Sequence, residues 1–274
     1  MTVIDPKLLA QLAAIVGPDR VLNDADSLLH YGRDWTRVHT PAPVAVVLPG
    51  TVAEVQDIVR LASHAGLAIV PSGGRTGLSA GAVARNGELV IALDRLNQIS
   101  GFNPIDRTVQ CGAGVVTEQL QQFAEEQDLF YPVDFASSGS SQIGGNISTN
   151  AGGIKVIRHG MTRDWVAGIK LVTGTGELLD LNRGLVKNNT GYDLRQLVIG
   201  AEGTLGVVVE ATMRLSQPPQ ELVVLVLGAP DMAAIMNVLC TYQGALELSA
   251  FEFFSELALQ KVIAHQGLQR PFET

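Results

Sequence analysis

The sequence predicts an α+β fold, and three observations carry that prediction. Residues 44 to 70 read as strand, helix, strand, which is one βαβ unit. Further short strand patterns follow, with a helix and a hairpin between them. At Gln217-Pro218-Pro219-Gln220 the character changes, and another strand–helix–strand pattern begins beyond it.

Taken in order, residues 5 to 17 read as a short helix with Leu8, Leu9, Leu12, Ile15 and Val16 inward, stopped at Gly17-Pro18. VAVVL at 44 to 48 is an apolar run bounded by prolines, as a buried strand would be. In TVAEVQDIVRLASHAG, Thr51 and Glu54 have the spacing of a capping box. Val52, Val55, Ile58, Val59 and Ala62 share one face, and Gly66 stands where the helix should end. AIV at 68 to 70 closes the unit. LVIAL at 89 to 93 and TVQCG at 108 to 112 read as strands, and a helix is expected from Thr117 to about Asp128 with Leu120, Phe123 and Ala124 inward. VAGIKLV, the turn TGTGE and LLDL read as a β-hairpin at 166 to 181, and GVVVEATMRL at 206 to 215 as a strand. Asp193 is expected to cap a short helix LRQLVI, and Tyr192 to pack with its hydroxyl tethered. Past the prolines, LVVLVL, a helix capped by Asp231, and LELSAFEFF form the second unit, with Phe251, Phe253 and Phe254 as core or interface. A unit that small buries too little surface to stand alone, so it is expected to be incomplete.

The formal net charge of -8 and the lack of a Lys/Arg run argue against nucleic acid as a partner. No apolar stretch approaches the roughly 20 residues a membrane span needs. The first ten residues lack the basic-then-apolar order of a signal peptide, so a cytoplasmic location is expected. Cys111 and Cys240 form neither a CxxC motif nor a disulfide framework, and Cys111 is expected to be a small buried group in its strand. The five histidines, at 30, 39, 64, 159 and 265, are scattered, without metal-ligand spacing.

Three glycine-rich stretches remain. PSGGRTGLSAG, 71 to 81, follows a strand, and Ser72, Thr76 and Ser79 add hydroxyls. Such a loop turns backbone N–H groups toward an anion, as a pyrophosphate cradle does, or is a plain surface loop. It matches neither the Walker loop nor the GxGxxG fingerprint. SSGSSQIGGNISTNAGG, 137 to 153, is too rich in Gly and Ser for a helix and too poor in alternation for a strand. Its Asn146, Ser148, Thr149 and Asn150 can hydrogen-bond a polar ring edge or a ribityl chain. IGAEGTLGVV, 199 to 208, leads into a strand and again suggests backbone close to a ligand. Three such loops suit a long, extended ligand better than a small one.

PSGGRTGLSAG, PVDFASSGSSQIGGNISTNAGG, RHGMTRDWVAGIKLVTGTGELL and NNTGYDLRQLVIGAEGTLGVV, in that order, resemble the FAD-binding domain of the vanillyl-alcohol-oxidase (PCMH-type) flavoproteins. Within it they are most similar to the branch of D-2-hydroxyglutarate dehydrogenase, D-lactate dehydrogenase and the glycolate oxidase FAD subunit. The resemblance covers roughly residues 41 to 218. It implies an FAD-binding domain of two α/β subdomains over 1 to 218 and the beginning of an α+β substrate domain over 219 to 274. The first loop would wrap the FAD pyrophosphate with Ser72, Gly73, Gly74, Arg75, Thr76, Gly77 and Ser79. The second would line the isoalloxazine and ribityl chain with Pro132, Asp134, Ser138, Gly139, Ile143, Gly145, Asn146, Thr149, Asn150 and Gly152. Glu202, Gly203, Gly206 and Val207 would meet the adenine end. Gln142 departs from many relatives at its position. The first loop has no His, so noncovalent FAD is implied. Arg75 would either balance phosphate or face solvent, and His159 would be a packed ring rather than a base.

The implied reaction is hydride transfer from the α-carbon of a D-2-hydroxy acid to flavin, with electrons passing to electron-transfer flavoprotein or a quinone. The base, the carboxylate clamps and a divalent metal would come from the region after the FAD domain. No catalytic residue is therefore assigned here, and the chain is expected to be a C-terminally shortened piece. The alternative is a non-catalytic FAD-domain subunit of a larger oxidase complex; a third is a reductase acting on enolpyruvyl-UDP-N-acetylglucosamine. A homodimer is one candidate assembly.

Overall fold

Three apolar runs from the first ninety-odd residues come together as one small sheet. In the computed structural model, which describes residues 4–272, α1 (Pro6–Val16) starts at Asp5, whose carboxylate accepts from the Lys7 N–H. There follow β1 (Val21–Leu22), α2 (Ala25–Tyr31), β2 (Ala45–Val47), α3 (Val52–His64), β3 (Ile69–Ser72) and β4 (Leu89–Ala92). The sheet order is β1-β2-β4-β3, with β2, β4 and β3 parallel and β1 antiparallel at one edge. Both faces are covered, which is why β2 and β4 are apolar throughout rather than alternating. Ala45, Val47, Leu89 and Ile91 pack under α1 and α3. Val46, Val90 and Ala92 face Ala84, Leu28 and Tyr31. At α3, the Thr51 hydroxyl accepts from the Glu54 N–H at 3.2 Å, and Gly66 (φ +64°) ends the helix. β3 runs on through Pro71 to Ser72, further than the apolar run suggests. It lies at the sheet edge, where a residue without an N–H is tolerated.

The second sheet is antiparallel throughout. It consists of β5 (Ile99–Asn103), β6 (Thr108–Gly112), β7 (Val166–Val172), β8 (Leu178–Leu181) and β9 (Val207–Arg214), ordered β5-β6-β9-β7-β8. Between β6 and β7 the chain forms α4 (Thr117–Glu126), α5 (Ile143–Thr149) and α6 (Val156–His159), and α7 (Arg195–Val198) precedes β9. One face of this sheet, with Val109, Cys111, Ile169, Leu171, Ala211 and Met213, packs on Leu120 and Ala124 of α4 and on Ile143 and Ile147 of α5. Val172, Val207 and Val209 instead join the core beneath α1 and α3. The Gln56 and Arg60 side chains of α3 donate to the Gly176 carbonyl in the β7–β8 turn, each at 2.9 Å. Two sheets thus share one interior. Burial pushes the Cys111 thiol up to about 12, so it stays protonated.

Four expectations need correction. A helix, α5, forms inside the stretch read as too glycine-rich for one. Two glycines cost it about 1 kcal/mol each relative to alanine. Full burial of Ile143 and Ile147, one turn apart, returns about 1.5–3 kcal/mol each. The glycines also admit the helix to its seat: a Cβ at Gly144 would lie 2.7 Å from the Ala113 Cβ. Second, 222 to 227 and 246 to 254 form no strand. A ladder needs a neighbouring strand to supply its hydrogen bonds, and among the described residues none lies beside them. Leu222 to Leu227 are each at least half exposed, and α8 (Met232–Ala245) and α9 (Glu256–Gln266) bury none of their residues. Third, Tyr192 is 94% exposed rather than packed. Fourth, Leu194 rather than Asp193 is the N-cap of α7. The Asp193 carboxylate instead grips Arg195, whose guanidinium reaches the Val166 and Ala167 carbonyls, and that grip holds the Asp193 carboxyl below its ordinary value. His159 does pack, edge-on to Phe130 (5.9 Å between centroids) and tilted to Trp165 (6.3 Å).

Two outcomes are expected. Gly144→Val should lower the denaturation free energy by about 1–3 kcal/mol through overpacking, measured by urea titration. Burial, then the Arg158 and Lys155 charges, hold His159 below its ordinary value of 6.5. The unfolded chain therefore takes up this proton at higher pH than the folded one, and stability falls as pH drops through 6.5. His159→Phe should lose less melting temperature than the wild type between about pH 7 and about pH 5.

Candidate functional site

The three glycine-rich stretches converge on one place. The first loop leaves the end of β3 and lies against the start of α5. A Cβ on Gly73 would touch Gln142 Oε1 (3.4 Å) and Gly145 Cα (3.7 Å), and one on Gly74 would overlap the Ser140 carbonyl oxygen. The third loop closes over both. The Gly200 N–H donates to Ile147 O (3.0 Å) and the Glu202 N–H to Ser148 O (2.8 Å) at the end of α5. Cβ atoms on Gly81 and Gly203 would meet the Glu202 carboxylate (3.6 Å) and Pro71 (3.2 Å).

In the first loop, no protein acceptor meets the backbone N–H groups from Gly73 to Ser79 among the described residues. That is a row of donors left for an anion. Ser72 is fully buried and its hydroxyl has no partner. Thr76 is half-buried, and Gly77 and Ser79 are exposed. The Arg75 guanidinium does not face solvent: it lies against Asp94 (3.1 Å) and over the Tyr31 ring (4.7 Å). Burial, then the Asp94 carboxylate, raise the Tyr31 phenol above its ordinary value, so the ring stays neutral beneath the cation. Asp34, 3% exposed, braces the loop from outside. It accepts from the Ala80 N–H at 2.8 Å, and the next residue, Trp35, donates its N–H to Gly77 O at 3.1 Å.

In the second stretch the side chains divide by direction. Ile143 points into the core, and Asn146 donates to the buried Thr117 hydroxyl (2.7 Å), which in turn meets Ser141 Oγ (2.7 Å). Through its amide nitrogen Asn146 therefore anchors α5 to α4. The Thr149 hydroxyl bonds back to Gly145 O (3.0 Å), and Asn150, in the left-handed region at φ 47°, caps α5 and accepts from the Arg163 N–H (3.0 Å). Asp134 pairs with Lys155 (3.0 Å), beside buried Pro132. Ser138 accepts the Glu118 N–H at its carbonyl, and Gly139 is exposed beside the Glu118 carboxylate. A Cβ on Gly152 would crowd Val156 and Met161. Gly145 differs from all of these: nothing lies within 4 Å of where its Cβ would be. It turns toward the open side, next to Gly73. In the third loop, Glu202 is exposed with φ 50°, Gly206 takes φ 146° at the entry to β9, and Val207 is buried in the shared core.

FAD fits these residues. Its pyrophosphate needs donors without competing acceptors, which the first loop offers. Its flavin needs a flat approach, which Gly145 leaves open, and partners for its polar edge. Ser72 Oγ and Gln142 Oε1 are both buried without one. The match to a family described as FAD binding domain runs over residues 43–182, from β2 to the end of the β7–β8 hairpin. The chain belongs to this family. The chain is 63% identical over 270 residues (98% of the chain, 58% of the relative) to D-2-hydroxyglutarate dehydrogenase of Stutzerimonas stutzeri strain A1501. It is 56% identical over 268 residues (98% and 56%) to the enzyme of that name from Xanthomonas citri pv. viticola. Among solved structures, alkyldihydroxyacetonephosphate synthase is similar with a TM-score of 0.72 and 25% identity, over 80% of this chain and 41% of that one. The chain thus spans little more than half the length of the curated relatives it matches.

Sequence reasoning missed Asp34, Asp94 and Tyr31. Each acts on the first loop from far along the chain, and only the dipeptide Asp34-Trp35 beside Thr36 hinted at a polar brace. Gly145→Val should leave the melting temperature of the FAD-free protein nearly unchanged, because its Cβ enters open space with nothing within 4 Å. The same change should weaken FAD binding at least about tenfold by standing where a flat ligand must lie, read by flavin fluorescence titration.

Proposed function

We propose that this chain is the cofactor-holding part of an FAD-dependent dehydrogenase that oxidises a D-2-hydroxy acid, D-2-hydroxyglutarate foremost, to the 2-oxo acid. One observation carries the reading: three loops from separate parts of the chain meet around unpaired donors and acceptors, in a chain similar along 98% of its length to proteins named for that activity. When bound, FAD would supply the hydride acceptor for oxidation at the substrate α-carbon. The chain's own residues bind and orient. The N–H groups from Gly73 to Ser79 hold the pyrophosphate, and Ser72 and Gln142 fix the polar edge. Glu202 and Gly203 line the remaining end, Gly206 turns the chain into β9 with Val207 packed in the core behind it, and α5 excludes water from below. Residues 1 to 218 form the FAD domain in this reading, and 219 to 274 begin the unit that covers the substrate. The base, the carboxylate ligands and any divalent metal are assigned to no residue of this chain. Electrons leave to electron-transfer flavoprotein or a quinone, in the cytoplasm. No helix among the described residues is long and apolar enough to cross a membrane.

The unburied helices α8 and α9 favour a second reading, a non-catalytic FAD-domain subunit completed by another polypeptide. A visible spectrum of the FAD-loaded protein, before and after anaerobic addition of D-2-hydroxyglutarate, tests both. The FAD-holding reading expects flavin bands that persist with either D-2-hydroxyglutarate or D-lactate. Bleaching would place the whole catalytic site within these residues. No bands after incubation with FAD would overturn the proposal.

A further inference from the structure

Arg75 stands in the middle of the first loop, where its charge invites assignment to the cofactor phosphates. The geometry employs it otherwise. Its backbone sits in the left-handed region at φ 59°, a conformation disfavoured for a non-glycine residue and kept only where surroundings enforce it. The enforcing contacts are all on its side chain. One terminal nitrogen donates to Gly73 O, two residues back, at 2.7 Å. The guanidinium spans both Asp94 oxygens, at 3.1 and 3.4 Å. Its central carbon lies 4.7 Å from the Tyr31 ring centroid. The side chains are only 16% and 29% exposed for Arg75 and Asp94, so the pair is sheltered from solvent. Gln142, the N-cap of α5, donates its amide to the same Asp94 at 3.3 Å.

These contacts decide where the loop's donors point. In a trans peptide the carbonyl and the following N–H lie on opposite sides. When Arg75 draws the Gly73 carbonyl inward, the Gly74 N–H must turn outward, and that N–H is one of the free row. With the Gln142 amide nitrogen committed to Asp94, its oxygen is left toward Gly73, buried and unpaired. We infer that Arg75 is a positioning residue. Through Asp94, Tyr31, Gln142 and the Gly73 carbonyl, it presets the first loop for FAD, and the phosphate charge is met by backbone N–H groups rather than by this guanidinium. The inference rests on the FAD reading above.

The two roles predict different variants. A phosphate ligand freed from its competitor would bind better, so Asp94→Asn would tighten FAD, and Arg75→Lys would keep much of the affinity. A preset loop predicts the reverse. Asp94→Asn, Arg75→Lys and Arg75→Met should each weaken FAD about tenfold or more, because each releases the same strained turn. The double variant Arg75→Met/Asp94→Asn should be no weaker than Arg75→Met alone, since both changes break one interaction. The measurement is the FAD dissociation constant of the full chain by flavin fluorescence. ADP, which carries the pyrophosphate without the flavin, should show the same losses. Thermal melts without FAD report folding. If Arg75→Met fails to fold, the isosteric Asp94→Asn and Arg75→Lys still decide. Wild type that binds no FAD would defeat the functional reading itself. Wild type that binds, with Asp94→Asn equal or tighter, or with Arg75→Lys unaffected, would overturn the clamp alone.

Discussion

The seating of α5 against the end of β6 is the contact on which the cleft depends. Gly144 brings the helix so near that its N–H reaches Ala113 O at 2.8 Å, while the Ala113 N–H is held by Val209 O of β9 at 3.0 Å. Once the helix is placed, the rest is positioned by it. Gln142 at its start reaches Asp94, Gly145 is turned to the open side, and the carbonyls of Ile147 and Ser148 at its end accept the N–H groups of the third loop. Below it, the Thr117–Ser141–Asn146 network ties it to α4, with both hydroxyls and the Asn146 amide nitrogen partnered, which keeps a buried polar cluster from becoming a liability.

An acidic chain that holds a dianionic pyrophosphate must solve an electrostatic problem. Net charge is -8, and Arg75, the first loop's own guanidinium, is already paired with Asp94. In the function proposed above, the solution is made of dipoles. Peptide N–H groups carry partial charge without a counter-ion and are fixed before the ligand arrives, so they need little reorganisation. Such a cradle is short-range. It recognises a phosphate that touches it and exerts little pull on anions further away, unlike a lysine-rich patch.

Periodicity made the first half of the fold legible. The β2–α3–β3 unit, the Thr51 cap and the Gly66 stop appear in the structure as the pattern implies, because each depends on neighbours within a turn or two. The glycine loops were legible as a place, since so much bare backbone needs a reason. What stayed hidden was set by distant partners. α5 forms against its own propensity because Ala113 and the core of the second sheet receive it. The role of Arg75 depends on Tyr31 and Asp94, neither of which stands in a motif. Asn146 and Asn150 read as ligand contacts by chemistry alone; the structure adds that the Asn146 amide nitrogen is held by Thr117 and the Asn150 amide oxygen by the Arg163 N–H. Residues 222 to 227 read as a strand by composition, and composition cannot supply a neighbouring ladder.

The interior shared by the two sheets has a consequence for how the molecule comes apart. Val172, Val207 and Val209 belong by hydrogen bonding to the second sheet and by burial to the core under α1 and α3. Separating the sheets would expose those valines together with Leu12, Ile58 and Ile91, so the core under α1 and α3 needs both sheets, while the core under α4 and α5 is built from the second sheet's part of the chain alone. The part of the chain that carries the first glycine-rich loop and the part that carries α5 are therefore tied through that common core, and loosening it would disturb both ends of the cleft together.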